Sequence, residues 1–387
     1  MSRLSKGISR VAQRTLAYPS FRQPPQVTFG TGSVRVLTQP GILDRAVLLV
    51  SGDSQVRQTL ALAFDNRGIS LDSLRMLQKP AGEPTVASVV EAAEWLTDNP
   101  AETLIAVGGG SVLDWARLAL ATSRGWLEGT GRIRQGLRAT DRPHLILVPT
   151  TCGSGAEAAA VAVYSVDGQK IAVVSDAFLA DRVVLDAQFL GTATPEILAS
   201  WLSDALSHAV EAFVSIVPNT LAKQAAIGAL QAILQHHKAS DQHCRRERLM
   251  EAGYLGGVAA SNCSVGVVHA FAHTVASYGV PHGLANALGL PAGIAANADT
   301  SEMQSLLDRM NFPSIATLLG AIVPITSEAV SAGVPEQLGR ALRDSSEREA
   351  ILARMASDVC LRSNPRRLER DGLIAFLDEV EHGMARA

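Results

Sequence analysis

Cysteine is scarce in this chain: four in 387 residues, Cys152, Cys244, Cys263 and Cys360, with no CxxC spacing. Disulfides therefore cannot staple the fold, and a reducing compartment fits best. A large excess of either charge is also missing. The formal net charge of −3 removes any global electrostatic reason to bind nucleic acid or an anionic membrane surface. No apolar run approaches the roughly 20 residues needed to span a bilayer, and no secretory h-region lies near Met1. The expectation is a cytoplasmic protein. Acids are absent from residues 1–43, where Arg3, Lys6, Arg10 and Arg14 alternate with Leu4, Ile8 and Val11 at helical spacing. A transit peptide has this pattern. A short basic tail or amphipathic helix ahead of the first strand is the preferred reading, because short basic termini are common. There is no internal repeat, low-complexity tract or long Gly/Ser linker.

What the chain does have is 47% hydrophobic and 18% charged residues, enough apolar surface for large cores. Its length exceeds what one core usually serves, so two domains are expected. Short apolar runs at 46–50, 104–107, 145–148 and 183–185 suit strands buried on both faces of a parallel sheet, and helix-compatible stretches follow them. This is doubly wound α/β architecture. From Pro195 onward, alanine- and leucine-rich segments recur with helical period. The boundary is expected at 186/187: an α/β nucleotide-binding domain with a mostly parallel sheet over 1–186, and an all-α domain over 187–387. A cleft between them is the natural place for a site.

Two glycine-rich turns fall at strand ends. Gly108-Gly109-Gly110-Ser111 precedes a helix expected to begin near Val112, and helix N-termini offer free N–H groups to a pyrophosphate. Pro149-Thr150-Thr151-Cys152-Gly153-Ser154-Gly155 is the second. One such turn is as readily structural as functional; two on one sheet edge point to a large phosphorylated cofactor. The GxGxxG fingerprint is missing, because Ser51-Gly52-Asp53-Ser54 follows the first of these runs, so a standard Rossmann dehydrogenase is disfavoured.

Asp204 and His208 are four apart in a helical stretch and emerge on one face. His269 and His273 repeat that spacing, and His282 follows, so three of nine histidines fall within fourteen residues. Singly, such histidines are more often satisfied core residues, and an Asp/His pair is often a surface hydrogen bond. Together they sit in Ala/Val-rich helices where an uncompensated carboxylate is expensive, and a cation offsets that cost. Imidazoles with one carboxylate suit Zn²⁺ or Fe²⁺ over Mg²⁺ or Ca²⁺. His236, His237 and His243 read as solvated surface.

These residues resemble the iron-containing (group III) alcohol dehydrogenases over nearly the whole chain, within the dehydroquinate synthase-like superfamily. Val27-Thr28-Phe29-Gly30 resembles the family's first strand and Glu83-Pro84-Thr85 its Pro-Thr turn. Gly108-Gly109-Gly110-Ser111-Val112-Leu113-Asp114 resembles its pyrophosphate loop, and Thr150-Thr151 with Gly153-Ser154-Gly155-Ala156-Glu157 its second nucleotide loop. The stretches 204–211 and 266–286 resemble its two metal motifs. The resemblance implies Asp204, His208, His269 and His282 as ligands, with Fe²⁺ favoured and Zn²⁺ the alternative. His273 matches a non-ligand near the nicotinamide that can relay a proton. Gly52, Gly108, Gly109, Gly110, Ser111, Asp114, Thr150, Thr151, Ser154 and Lys170 become cofactor residues for NAD(H) or NADP(H). Gly52 stands where NAD-preferring members often carry an aspartate that repels a 2′-phosphate. Three features depart from the pattern: Arg117 replaces a usual lysine, Trp115 a small residue, and the interval from His269 to His282 is one residue short.

The expected activity is hydride transfer between nicotinamide and a small alcohol or aldehyde, with His273 passing the alkoxide proton. No nucleic-acid or membrane partner is expected, and a homodimer is left open. The rivals are a glycerol, glycerol-1-phosphate or phosphonoacetaldehyde-type enzyme, a dehydroquinate-synthase-like cyclase, a metal-free maleylacetate-reductase-like enzyme, and a non-catalytic homologue.

Overall fold

The structure, a computed structural model, describes residues 20–128, 131–134, 137–166 and 169–386. The basic segment containing Arg3, Lys6, Arg10 and Arg14 lies outside the described residues. The first half runs β1 (Val27–Phe29), β2 (Ala46–Val50), α1 (Ser54–Asp65), β3 (Met76–Gln78), α2 (Val86–Asp98), β4 (Thr103–Gly108), α3 (Gly110–Ser123), β5 (Leu127–Glu128), β6 (Arg132–Ile133), β7 (His144–Pro149), β8 (Val161–Val166), β9 (Gln169–Val174) and β10 (Arg182–Leu185). Six of these strands form one parallel sheet in the order β1-β10-β7-β4-β2-β3.

The four apolar runs are the four interior strands of that sheet. Val47, Leu49, Leu104, Ala106, Leu145, Leu147 and Val183 face one core, which continues through α3 into the helices of the second half. Leu48, Val50, Ile105, Val107, Ile146, Val148 and Val184 face the other core, covered by Val56, Leu60 and Phe64 of α1. Strands buried on both faces need no polar alternation, and this produces continuous apolar runs. The edge strand β3, only partly buried, and the antiparallel β8–β9 hairpin carry no such signal and were not expected.

From β2 the chain steps outward to β3 and then returns to the other side of β2 as β4. The reversal leaves a crevice at the carboxyl ends of β2 and β4, where open α/β sheets bind ligands. Register aligns Val50 with Val107 and Gly108 with Pro149, so both glycine-rich turns leave the same edge.

The second half is helical: α4 (Pro195–Val214), α5 (Thr220–His236), α6 (Gln242–Cys263), α7 (Val267–Val275), α8 (His282–Ala296), α9 (Ser301–Met310), α10 (Ile315–Val330), α11 (Glu336–Arg343), α12 (Ser345–Ser357) and α13 (Arg370–Arg386). Thr194 caps α4, accepting from the Ile197 N–H, and Pro195 fills its first turn. Every residue from Leu202 to Val214 is buried, which makes α4 the central helix and explains why its apolar residues show no single stripe. Among the described residues no single helix is long and apolar enough to cross a membrane.

Glycines join the two halves. A Cβ on Gly253 of α6 would lie 2.4 Å from the Cys152 carbonyl oxygen, and one on Gly257 would lie 2.4 Å from that of Gly155. Gly155 itself has φ +56°, a conformation glycine adopts freely. The second nucleotide-type turn thus rests directly on helix backbone.

Candidate metal centre and cofactor crevice

Three helices bring the histidines to Asp204. Asp204 and His208 lie one turn apart on α4, His269 sits in the first turn of α7, and His282 opens α8. Gly283 permits the last approach, because a Cβ there would lie 2.4 Å from the Ser200 carbonyl oxygen. Asp204 Oδ1 is 3.6 Å from His208 Nδ1, 3.7 Å from His269 Nε2 and 3.6 Å from His282 Nε2. The donor atoms of Asp204, His269 and His282 all fall within 4.8 Å of one another, and His208 adjoins them. The His208 and His269 rings stand 4.5 Å apart.

These separations are too long for hydrogen bonds, and His208 Nδ1 and His269 Nε2, two of the three nitrogens that face Asp204 Oδ1, are buried without any partner. They suit a shared ion: ligand atoms about 2.1 Å from a tetrahedral centre sit about 3.4 Å from each other. Buried polar atoms left unpaired around a carboxylate are costly unless a cation completes them.

The electrostatics divide the set: burial would lower the His269 pKa, but Asp204 and Glu211 on either side of the ring raise it to about 9, so a cation there takes the place of a proton. Burial alone would raise the Asp204 pKa, but His208, His282 and His269 together hold it well below the usual carboxylate range. Burial lowers His208 to about 4 and holds His282 well below its ordinary value, so both are neutral and available as ligands. His282 also stands at the positive end of the α8 dipole, which disfavours its protonated form. Around this set, Asn286 Nδ2 donates to Asp204 Oδ1 at 2.9 Å, and Glu211 Oε2 lies 2.6 Å from His269 Nδ1. Neither was assigned a role from the sequence. For Glu211 a signal existed: positions 204, 208 and 211 share one helical face.

Most of the residues expected to bind the cofactor collect at the sheet edge. α3 starts at Gly110, two residues earlier than expected, and its N-cap Gly109 supplies no side-chain acceptor, which leaves the helix N-terminus open to an anion. A Cβ on Gly109 would lie 3.3 Å from the Thr151 methyl, and one on Gly110 would lie 2.7 Å from Ser154 Oγ. The two turns therefore pack on each other. Gly108 serves the turn itself, because a Cβ there would strike Val112 at 2.5 Å. Ser111, Thr151 and Ser154 are partly exposed, Thr150 is buried, and Gly52 is exposed beside the end of β3. Asp114 is engaged elsewhere: it accepts from the Val163 N–H at 3.1 Å and pairs with Arg117 at 3.3 Å, tying the β8–β9 hairpin to α3.

That hairpin carries Lys170, which pairs with Glu83 at 3.1 Å. Lys170, Glu83, Tyr164, Val280, Pro281 and His282 line a cavity of about 400 Å³ between the sheet half and the helices. His273 lies outside the three-donor set, stacked on His282 at 5.9 Å, and its Nδ1 is 3.1 Å from Asp358 Oδ2. Cys360 Sγ is 4.0 Å from the same nitrogen. Asp358 and Cys360 come from the far end of the sequence, and nothing local announced them.

Residues 24–187 match the family described as iron-containing alcohol dehydrogenase, and residues 199–380 match the C-terminal part of the same family. The chain belongs to the iron-containing alcohol dehydrogenase family. Among curated relatives, the protein named probable alcohol dehydrogenase EutG of Escherichia coli is 28% identical, covering 92% of this chain and 93% of its own. The NADPH-dependent butanol dehydrogenase of Clostridium saccharobutylicum is 26% identical over 93% and 98%. The iron-containing alcohol dehydrogenase of Thermococcus thioreducens superposes with a TM-score of 0.81 at 23% identity, covering 94% and 100%. The chain is an oxidoreductase of the alcohol dehydrogenase type, a family of metal and nicotinamide chemistry.

Within this iron-containing alcohol dehydrogenase, the three departures from the family pattern have local explanations. Arg117 is fully buried and donates to the carbonyls of Phe178, Val161, Ala156 and Ala159. Trp115 is buried and donates to the Ser88 carbonyl. Both residues clamp the scaffold through backbone carbonyls. The short His269–His282 interval still delivers His282 to Asp204.

Glu157, beside this clamp, is buried with Oε2 unpartnered. Burial pushes its carboxyl up to about 7, with Arg117 opposing. A carboxyl whose folded value is raised stabilises the fold while protonated, below its unfolded value of about 4.5, and loses that contribution as pH rises through about 7. Glu157→Gln should therefore remove about 3 kcal/mol of pH-dependent destabilisation across that window. Denaturant unfolding of both proteins between pH 4.5 and 8 checks this; parallel stability curves would contradict it.

Proposed function

We propose that this enzyme interconverts a small alcohol and its aldehyde with NADP(H) or NAD(H), using one divalent ion held by Asp204, His208, His269 and His282. The observation that carries this reading is the set of imidazole nitrogens 3.6 to 3.7 Å around Asp204 Oδ1 with no hydrogen bond among them. When bound, such an ion supplies Lewis acidity at the substrate oxygen, and the nicotinamide supplies or accepts hydride.

The chain's own groups do the rest. The α3 N-terminus with Gly109, Gly110, Ser111, Thr151 and Ser154 would bind the pyrophosphate. Gly52 leaves space where an acid would repel a 2′-phosphate. The neighbouring Asp53 is committed to capping α1, accepting from the Gln55 N–H at 2.8 Å, and one relative is named NADPH-dependent. These features favour NADP(H), and initial rates with both cofactors test the preference. Fe²⁺ is the favoured ion on family grounds and Zn²⁺ the alternative. The four cysteines, none in a disulfide, support a cytoplasmic location. A small-molecule substrate is the expected partner.

His273 would carry the substrate proton toward solvent, oriented by Asp358. His273→Ala is expected to lower kcat about 10²- to 10⁴-fold, the usual weight of a proton-transferring group, with metal content unchanged. Metal loss in that variant would make His273 a ligand; undiminished kcat would remove the relay. Reduction of a simple aldehyde with loss of NADPH or NADH absorbance tests the whole reading and excludes a cyclase.

A further inference from the structure

We propose that Glu211 is a positioning residue that fixes which nitrogen of His269 is available to the metal. The proposal deepens the metal reading and rests on it. Glu211 stands on α4, one face with Asp204 and His208, and is 4% exposed. Its two carboxylate oxygens have separate tasks. Oε1 accepts from the Val268 N–H at 2.7 Å, and Oε2 lies 2.6 Å from His269 Nδ1. A carboxylate only accepts, so Nδ1 carries the proton and donates it. Nε2, the atom that faces Asp204, is then the nitrogen left to offer a lone pair to a cation.

The surroundings are shaped around this carboxylate. Gly266, the residue before α7, has no side chain to cap the helix. A Cβ there would lie 2.9 Å from Glu211 Oε1 and 2.6 Å from Asn364 Oδ1. The first two N–H groups of α7 are instead met by side chains from elsewhere: Val267 donates to Asn364 Oδ1 at 3.3 Å, and Val268 donates to Glu211. A negative group at a helix N-terminus is favourable in its own right. Capping alone, however, needs one oxygen. The second is aimed at the histidine.

This division makes the isosteric amide a discriminating substitution. In Glu211→Gln the single carbonyl oxygen can meet the Val268 N–H or the His269 Nδ1–H, but the remaining NH₂ group then faces the other donor. If the amide oxygen keeps the helix cap, the NH₂ group favours the tautomer with Nε2 protonated, which cannot ligate. If the oxygen takes Nδ1–H, the NH₂ group opposes the Val268 N–H and pushes α7 away.

The test is Zn²⁺ affinity of the full-length, metal-stripped protein, read by competition with a chromophoric chelator, with circular dichroism and nucleotide binding as controls of fold. Glu211→Gln is expected to weaken Zn²⁺ binding about 10- to 100-fold, the usual cost of losing a group that orients a ligand. A purely capping role predicts wild-type affinity, because the amide oxygen can still accept from Val268; that result overturns the proposal. Gly266→Ala provides a second route if Glu211→Gln does not fold. Its added methyl displaces the carboxylate without removing it, and it too should weaken Zn²⁺ binding; unchanged affinity there overturns the proposal. Failure of the wild-type protein to take up Zn²⁺ or Fe²⁺ would overturn the metal reading itself, an outcome distinct from equal binding by wild type and variant.

Discussion

Asp204→Ala is expected to give a folded protein that holds no metal and turns over at least about 10³-fold more slowly, the scale of losing a Lewis acid worth several kcal/mol. Asp204 is the hub of the centre: three imidazoles approach the same oxygen. Removing the hub leaves the histidines with nothing to assemble around. The fold should tolerate the change, since alanine suits a helix interior and the buried carboxylate is itself a burden without a cation. Circular dichroism, elemental analysis and rate measurements on one preparation check all parts of this expectation. A variant that keeps its metal would remove Asp204 from the ligand set.

The second large effect should come from Gly257, far from the chemistry in sequence. An added methyl group would meet the Gly155 carbonyl oxygen at 2.4 Å and its Cα at 2.5 Å. Both are backbone atoms, so no side chain can rotate away. Gly257→Ala should cost about 1 to 3 kcal/mol of stability, the range for overpacking. It should also raise the cofactor KM more than it lowers kcat, because the displaced segment includes Thr151 and Ser154. Metal content should persist, since α6 contributes no ligand. Unfolding curves and a cofactor titration decide this; a wild-type cofactor KM would show that the seam does not position the loop.

Legibility from the sequence followed burial. The interior strands β2, β4, β7 and β10 announced themselves because both faces are apolar, whereas β3 and the β8–β9 hairpin have open faces and mixed residues. Asp204 with His208, and His269 with His273, were visible because helical spacing places them on shared faces. Their convergence could not be derived from spacing, since it depends on how α4, α7 and α8 cross. The family resemblance supplied that step. Asp358 remained hidden because it reaches His273 from 85 residues away. Arg117 and Trp115 stood out in the sequence only as departures from the family pattern, because their partners are backbone carbonyls that only the fold brings near. Asp114 was read as a cofactor residue from its motif, yet its carboxylate is held by Arg117 and the Val163 N–H.

The central claim is that an aspartate and three histidines from α4, α7 and α8 hold one catalytic ion. The most direct measurement is the metal content per chain of the wild-type protein and Asp204→Ala, reconstituted anaerobically with Fe²⁺ or Zn²⁺, set beside their aldehyde-reduction rates. The account predicts one ion per wild-type chain with activity, and neither ion nor activity in the variant. Full turnover by wild-type protein stripped of metal, or equal metal content in both proteins, would contradict it.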